Sequence, residues 1–231
     1  MNRRHASVEG EMTQERWVKS LGIAFLLIWG ALAVAPLHRQ DWVLENLLVL
    51  AAVPVARAAW RRRLFSTPAW TLLFLFMVLH QIGAHYTYSE VPYDAWWQRL
   101  TGDSFNAIFG WQRNHFDRLA HFLYGVLLAL PFRETVQGLF GARGFWSYLL
   151  PLDFVLSTSV FYELVEWLAA SVLGGDAGMT YLGTQGDIWD AQKDMALAGF
   201  GALLTLGVVA VLERRRNRLT KRSDGSPGPP P

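Results

Sequence analysis

Residues able to hold protons or metal ions recur at helical spacing inside stretches that are otherwise apolar. Asp117 and His121 stand four apart, Glu163 and Glu166 three apart, and Asp187, Asp190 and Asp194 follow an i, i+3, i+7 pattern. Each set therefore falls on one face of a helix. A fourth stretch carries Gln81, His85 and Tyr88; at about 100° per residue Gln81 and His85 share a face, with Tyr88 near them and His80 pointing elsewhere. Carboxylates and imidazoles on facing helices suit a hard or borderline divalent ion such as Zn, Mn, Fe or Mg. Paired carboxylates at this spacing also recur in helical bundles that bind two metals.

The expected metal ligands are Asp117, His121, Glu163, Glu166 and Asp190. His85, Glu166 and Asp187 are the expected catalytic residues, His85 as base or further ligand. A metal-activated water would then attack a lipid-linked or headgroup substrate. Two other uses of the same residues stay open. Carboxylate and histidine chains also carry protons or cations through transporters, and a polar cluster can simply fix helix packing in a non-catalytic assembly factor. Asp187 and Asp190 can also cap a helix start, while Asp153 and Glu45 are isolated and read as structural.

Charge narrows these options. Six acids (Asp117, Glu163, Glu166, Asp187, Asp190, Asp194) face three fixed cations, Arg113, Arg118 and Lys193. Clustered carboxylates in a low dielectric cannot all ionise uncompensated. Protons, histidinium or a metal cation must supply the difference.

The elements that position these residues are membrane spans. Hydrophobic residues make up 52% of the 231 and charged ones 17%, and about 20 predominantly apolar residues suffice to cross a bilayer. Spans are expected near 17–35, 42–58, 69–88, 118–132, 148–173 and 193–212, the fourth being the weakest. The fold class is all-α: a polytopic bundle of about six transmembrane helices. Sixteen of the 21 Lys and Arg fall in the N-terminal segment, the second and fourth connections and the tail, and five in the alternate connections. By the positive-inside rule both termini are cytoplasmic and the polar stripes lie in the outer half. The small-x-small run Ala33-Val34-Ala35 leaves signal-peptide cleavage of the first span as an alternative.

Most of the eleven tryptophans, among them Trp17, Trp42, Trp60, Trp70, Trp146 and Trp189, lie near span ends as in an interfacial belt. The long connection from Ser89 to Phe116 is aromatic enough to lie on the membrane surface. Residues 1–16 form a cytoplasmic segment, and 213–231 a basic, then Pro-rich, disordered tail. The basic run Arg214 to Arg222 beside a span suggests anionic headgroups and not nucleic acid. The chain has no cysteine, which excludes disulfides, thiolate metal sites and a cysteine nucleophile.

Four of these motifs, in order, resemble the YjdF-like bacterial inner-membrane proteins. They are His-Tyr-Thr-Tyr-x-Glu-Val-Pro at 85–92, Arg-Asn-His-Phe-Asp-Arg at 113–118, Phe-Tyr-Glu-x-x-Glu-Trp at 161–167 and Leu-Gly-Thr-Gln-Gly-Asp-x-Trp-Asp at 182–190. The resemblance spans residues 20–212 and implies a multi-pass protein of the inner membrane. A looser similarity, to VanZ-like proteins, rests on Asp117-Arg118, His121-Phe122, Tyr124 and the acidic start of the last span; Arg118 stands where that pattern favours Lys. Neither resemblance carries a catalytic mechanism over.

Overall fold

The computed structural model describes residues 3–223, with side chains placed from Met12 to Thr220 apart from positions 176, 177 and 180. The Pro-rich end expected to be disordered, 224–231, lies outside the described residues. The described chain is helical: α1 (Arg3–Leu32), α2 (Arg39–Arg61), α3 (Thr67–Tyr86), a 3-10 turn (Tyr88–Glu90), α4 (Tyr93–Thr101), α5 (Phe105–Phe109), α6 (Phe116–Phe140), α7 (Trp146–Leu173), α8 (Gly175–Leu182) and α9 (Asp190–Ser223). Residues 213–223, expected within the disordered tail, instead continue α9 through the basic run.

Among the described residues four helices, α2, α3, α7 and α9, are long and apolar enough to cross a membrane. Their outward faces match that use. Leu50, Val53, Phe161, Leu168, Val172, Leu203 and Val208 are all exposed, an arrangement that water disfavours and lipid welcomes. Two of the six expected spans fall short for different reasons. The apolar part of α1 is brief, because Glu15, Arg16 and Lys19 lie within the helix and it ends at Leu32, before a left-handed Ala35 at φ +48°. Helix α6 carries Asp117, Arg118, Arg133 and Glu134, but it is packed among α3, α7 and α9. Its polar groups face protein, so its hydropathy need not match that of a lipid-facing helix.

The closest approach in the bundle is between α6 and α9. A Cβ at Gly125 would collide with the Ala198 carbonyl oxygen, and one at Gly201 with that of Phe122. Thr205 also donates to the Val126 carbonyl at 2.8 Å. Small residues let two backbones meet where burial alone gives no drive, since lipid is as apolar as leucine. Ala129, Val155, Ala198, Ala202 and Leu206 fill the core beside this contact.

Ion pairs and capping bonds fix both ends of the bundle. At the end nearer the tail, Arg133 forms a two-point ion pair with Glu213 (3.0 and 2.9 Å), and Tyr148 donates to the same carboxylate at 2.6 Å. Glu134 accepts from Ser66 N–H and Oγ at 2.8 and 2.6 Å, tying the start of α3 to α6. Trp70, expected in the belt, is instead buried there against Phe65 and Trp60. At the opposite end the long connection folds into α4 and α5. Asp94 accepts from Ser104 Oγ and Asn106 N–H, and Trp96, Trp97, Leu100, Ile108 and Phe109 remain exposed.

Replacing Gly125 by alanine should cost about 1–3 kcal/mol through overpacking, read as a lower Tm in detergent. The same change at Gly207, where an added Cβ meets nothing within 4 Å, should leave Tm unchanged within a degree or two. Equal losses at the two positions would refute the role given to the α6–α9 contact.

Candidate functional site

At the rim, residues before and within the first turn of α6 meet those at the start of α9. Arg113 makes two hydrogen bonds to Asp190, at 2.7 and 3.1 Å, and also donates to the Thr184 carbonyl. Arg118 bonds Asp187 and reaches Asp190 at 3.1 Å, and Lys193 reaches Asp187 at 2.5 Å. Asp187 closes the turn leading into α9 by accepting from the Trp189 N–H at 3.0 Å. Lys193, that N–H and Arg118 hold the Asp187 carboxyl well below the usual aspartate range. Burial and the guanidiniums of Arg118 and Arg113 push the neighbouring His115 imidazole down. Three cations and two acids make this layer fully compensated.

Beside this layer, and one turn further along α6 and α9 at His121 and Asp194, no guanidinium hydrogen-bonds the acids among the described residues. Asp117 and His121 on α6 face Glu163 on α7, with His121 Nε2 at 3.7 Å from Asp117 and 3.4 Å from Glu163. Asp117, His121 and Asp194 each offer one ligand atom within 4.8 Å of the others. Asp194 is 2% exposed, and its Oδ1 and Glu163 Oε1 are buried without a hydrogen-bond partner. A single imidazole is the nearest basic group to this set. The i, i+4 and i, i+3 spacings produce the convergence because α6, α7 and α9 pack together at this level.

Beside the trio lies a narrow cleft with room for a water molecule or an ion, lined by Asp41, Glu45, Asp117, Glu166, Tyr88 and Tyr181 among others. Glu45 accepts from Tyr162 Oη at 3.0 Å, and the Tyr162 ring packs edge-on to His121 with centroids 5.9 Å apart. Asp41 accepts from Thr87 Oγ1 at 3.2 Å. His80 is fully buried, Nε2 at 3.1 Å from the Glu45 carbonyl and Nδ1 at 2.5 Å from Tyr88 Oη. A carbonyl only accepts, so Nε2 carries a proton, and in the neutral imidazole Nδ1 accepts from the tyrosine.

The expected site residues divide accordingly. The structure brings together Asp117, His121, Glu163 and Glu166. It does not leave Asp190 free to be a ligand, because Arg113 and Arg118 occupy its oxygens; Asp194, on the same stripe, stands in its place. Asp187, expected to be catalytic, is held in the rim ion pairs. His85 turns to the end of α1, Nδ1 at 2.8 Å from the Leu32 carbonyl, where it joins two helices. Gln81, read as its companion, is fully buried with both amide atoms unpartnered.

Conversely, Glu45 is not an isolated structural acid but a wall of the cleft, and His80 points toward the cleft through Tyr88. The signal for Glu45 was present: Asp41 and Glu45 are i, i+4 and are the two acids of a helix long and apolar enough to cross a membrane. The signal for His80 was hidden, because it depends on the turn after α3. Thr87 takes the left-handed conformation (φ +54°) and folds Tyr88 back against Gly83, where any Cβ would strike the tyrosine ring.

This polar site within an all-helical, lipid-matched bundle defines a membrane protein with a buried acidic centre. The chain belongs to the family described as "Predicted membrane protein (DUF2238)", which matches residues 17–215. It is also 33% identical over 200 residues, 86% of this chain and 90% of the relative, to the "Inner membrane protein YjdF" of Escherichia coli (strain K12). These matches support the YjdF-like resemblance and do not extend to the VanZ-like one. No solved structure matches.

Asp187, held below its ordinary value of 3.8, contributes stability that is present above that pH and lost as pH falls through its lowered folded value. The Tm difference between wild type and Asp187→Asn should therefore be constant from pH 7 to about pH 5 and shrink only below about pH 4. A difference that instead vanishes near pH 6 would show that the rim ion pairs do not hold in solution.

Proposed function

We propose that the chain is a six-span inner-membrane protein, both termini cytoplasmic, that binds a divalent cation through Asp117, His121 and Asp194 and uses it on an envelope substrate reached from the outer leaflet. The observation that carries the reading is the deep trio: three ligand atoms within 4.8 Å, one imidazole and two carboxylates, with a buried carboxylate oxygen left unpartnered. That donor set suits Zn, Mn or Fe. Such an ion supplies Lewis acidity to a phosphoryl or carbonyl oxygen and activates a bound water. Glu163, at 3.4 Å from His121, is the carboxylate placed to accept a proton.

The transport reading is less well supported. Toward the tail end the same helices are filled by Ala129, Val155, Ala202 and Leu206, then closed by the Arg133–Glu213–Tyr148 cluster. The acids that line the cleft, Asp41, Glu45, Asp117 and Glu166, lie at the rim end, whereas Glu134 and Glu213 at the tail end are bonded to Ser66, Arg133 and Tyr148. The name of the Escherichia coli relative supports the inner membrane. The Lys/Arg bias supports the orientation, and α1 and α6 complete the six spans, α6 as a helix shielded by its neighbours.

Protein purified in mild detergent should carry about one tightly held transition metal per chain by elemental analysis. Asp194→Asn and His121→Ala should each lower that at least tenfold while elution on size exclusion stays that of wild type. Absence of metal, together with failure of stripped protein to take up added Zn2+ or Mn2+, would end the metal reading. The lack of native cysteine makes topology directly testable. Cysteine introduced at the exposed Asp103 should react with an impermeant maleimide on intact spheroplasts, whereas cysteine at the exposed Arg62 should react only after lysis. The reverse pattern would overturn the orientation.

A further inference from the structure

We infer that the site has a second cation position, an all-oxygen one in the cleft between Glu45 and Glu166, sharing Asp117 with the first; this rests on the metal reading of the trio. Three observations converge on it. First, Asp117 belongs to both places: it lines the cleft with Glu45 and Glu166 and stands in the trio with His121 and Asp194. A carboxylate has two oxygens, so one side chain can face two ions, the arrangement that bundle-core dimetal sites use.

Second, Glu166 is 8% exposed and lines the cleft, yet no hydrogen bond or ion pair to it forms among the described residues. Glu45, 5% exposed, takes a hydrogen bond from Tyr162 at 3.0 Å. No Lys or Arg lines the cleft. A buried carboxylate that faces a space of ion size without a cationic partner carries a desolvation cost that a bound cation would relieve.

Third, one divalent ion does not balance the charge. The acids without a Lys or Arg ion pair among the described residues are Asp41, Glu45, Asp117, Glu163, Glu166 and Asp194, with His121 the one imidazole beside Asp117 and Glu163. One cation in the trio answers two of these six. A second, in the cleft, answers two more; of the rest, Asp41 accepts from Thr87 and Glu163 lies 3.4 Å from the His121 imidazole.

The donors differ between the two positions, and so should the ions. The trio contains an imidazole and favours borderline metals. The cleft offers carboxylates with Tyr88 and Tyr181 beside them, a hard oxygen set that favours Mg2+ or Mn2+. Two ions bridged by one carboxylate would grip both the attacking and the leaving oxygen of a displacement. That chemistry fits transfer or hydrolysis at a phosphoryl or carbonyl centre.

Metal counting on the full chain in detergent tests this. Protein stripped with chelator is loaded with Zn2+, dialysed, and titrated with Mn2+ while free Mn2+ is followed by electron paramagnetic resonance. Wild type should take up one Zn2+ and then one Mn2+ per chain. Glu45→Gln and Glu166→Gln should weaken Mn2+ uptake at least tenfold and keep the Zn2+, which also shows that they fold. Asp117→Asn should weaken both. If Glu166→Gln does not fold, Glu166→Asp and Glu45→Gln decide, since either should still depress Mn2+ selectively.

Failure of the Zn2+-loaded wild type to bind Mn2+ would overturn the second position and leave the first standing. So would Mn2+ binding that is indifferent to Glu45 and Glu166. Loss of Zn2+ uptake with a Glu45- and Glu166-dependent Mn2+ site retained would overturn the trio and keep the cleft.

Discussion

The near-contact of α6 and α9 is the constraint on which the rest of the structure depends. With glycine at 125 and 201 the two backbones meet with no side chain between them, and Thr205 bonds across the seam. That closeness sets how far the first turn of one helix stands from the first turn of the other. Arg113 and Arg118 therefore reach Asp187 and Asp190, and Asp117 and His121 come within ligand distance of Asp194. At the other end the same seam brings Arg133 to Glu213. Larger residues in the seam would move the rim ion pairs and the deep trio together.

The seam also explains how a poor-looking span can sit in the middle of a membrane protein. Hydropathy measures affinity for lipid, and α6 meets little lipid, since α3, α7 and α9 surround it. Its Arg133 is 5% exposed and bonded, and its Glu134 is held by Ser66. The lipid-facing helices show the complementary pattern, with apolar side chains outward and polar ones inward. An ionisable group costs about 2.5–3.5 kcal/mol at a bilayer centre on insertion scales, and here protein partners stand in for water.

How far the site was legible follows from what periodicity encodes. Straight helices carry their faces in the sequence, so Asp117 with His121, and Glu163 with Glu166, come together as their spacing requires. Partner choice is not encoded in that way. The i, i+3, i+7 stripe of α9 looks uniform, yet Asp190 is paired with guanidiniums and Asp194 is not. Turns are less legible still: the reversal at Thr87 gives Tyr88 to His80 and leaves His85 facing α1. Glu45 shares a helix face with Asp41 at i, i+4, but its other companions, Tyr162 and the 3-10 turn, come from elements far away in sequence. The all-helical class was plain from composition, whereas the shielding of α6 required its neighbours to be in place.

The split between Asp190 and Asp194 bears most directly on purpose. An α-helix rises about 1.5 Å per residue, so Asp194 lies about 6 Å below Asp190. The arginines begin at the mouth, Arg113 before α6 and Arg118 on its first turn, and their guanidiniums end at the layer of Asp190. A fold needing acids only to fasten helices would stop there, because that layer already closes the end of the bundle with ion pairs. Below it the chain adds a second acidic layer to which, among the described residues, no guanidinium hydrogen-bonds, and it leaves carboxylate oxygens of Asp194 and Glu163 without a hydrogen-bond partner. Such a layer lowers stability unless something positive enters it, since each unpaired buried charge is costly. An acidic chamber under a cationic rim is thus a poor fastening, and its geometry is that of the proposed cation site.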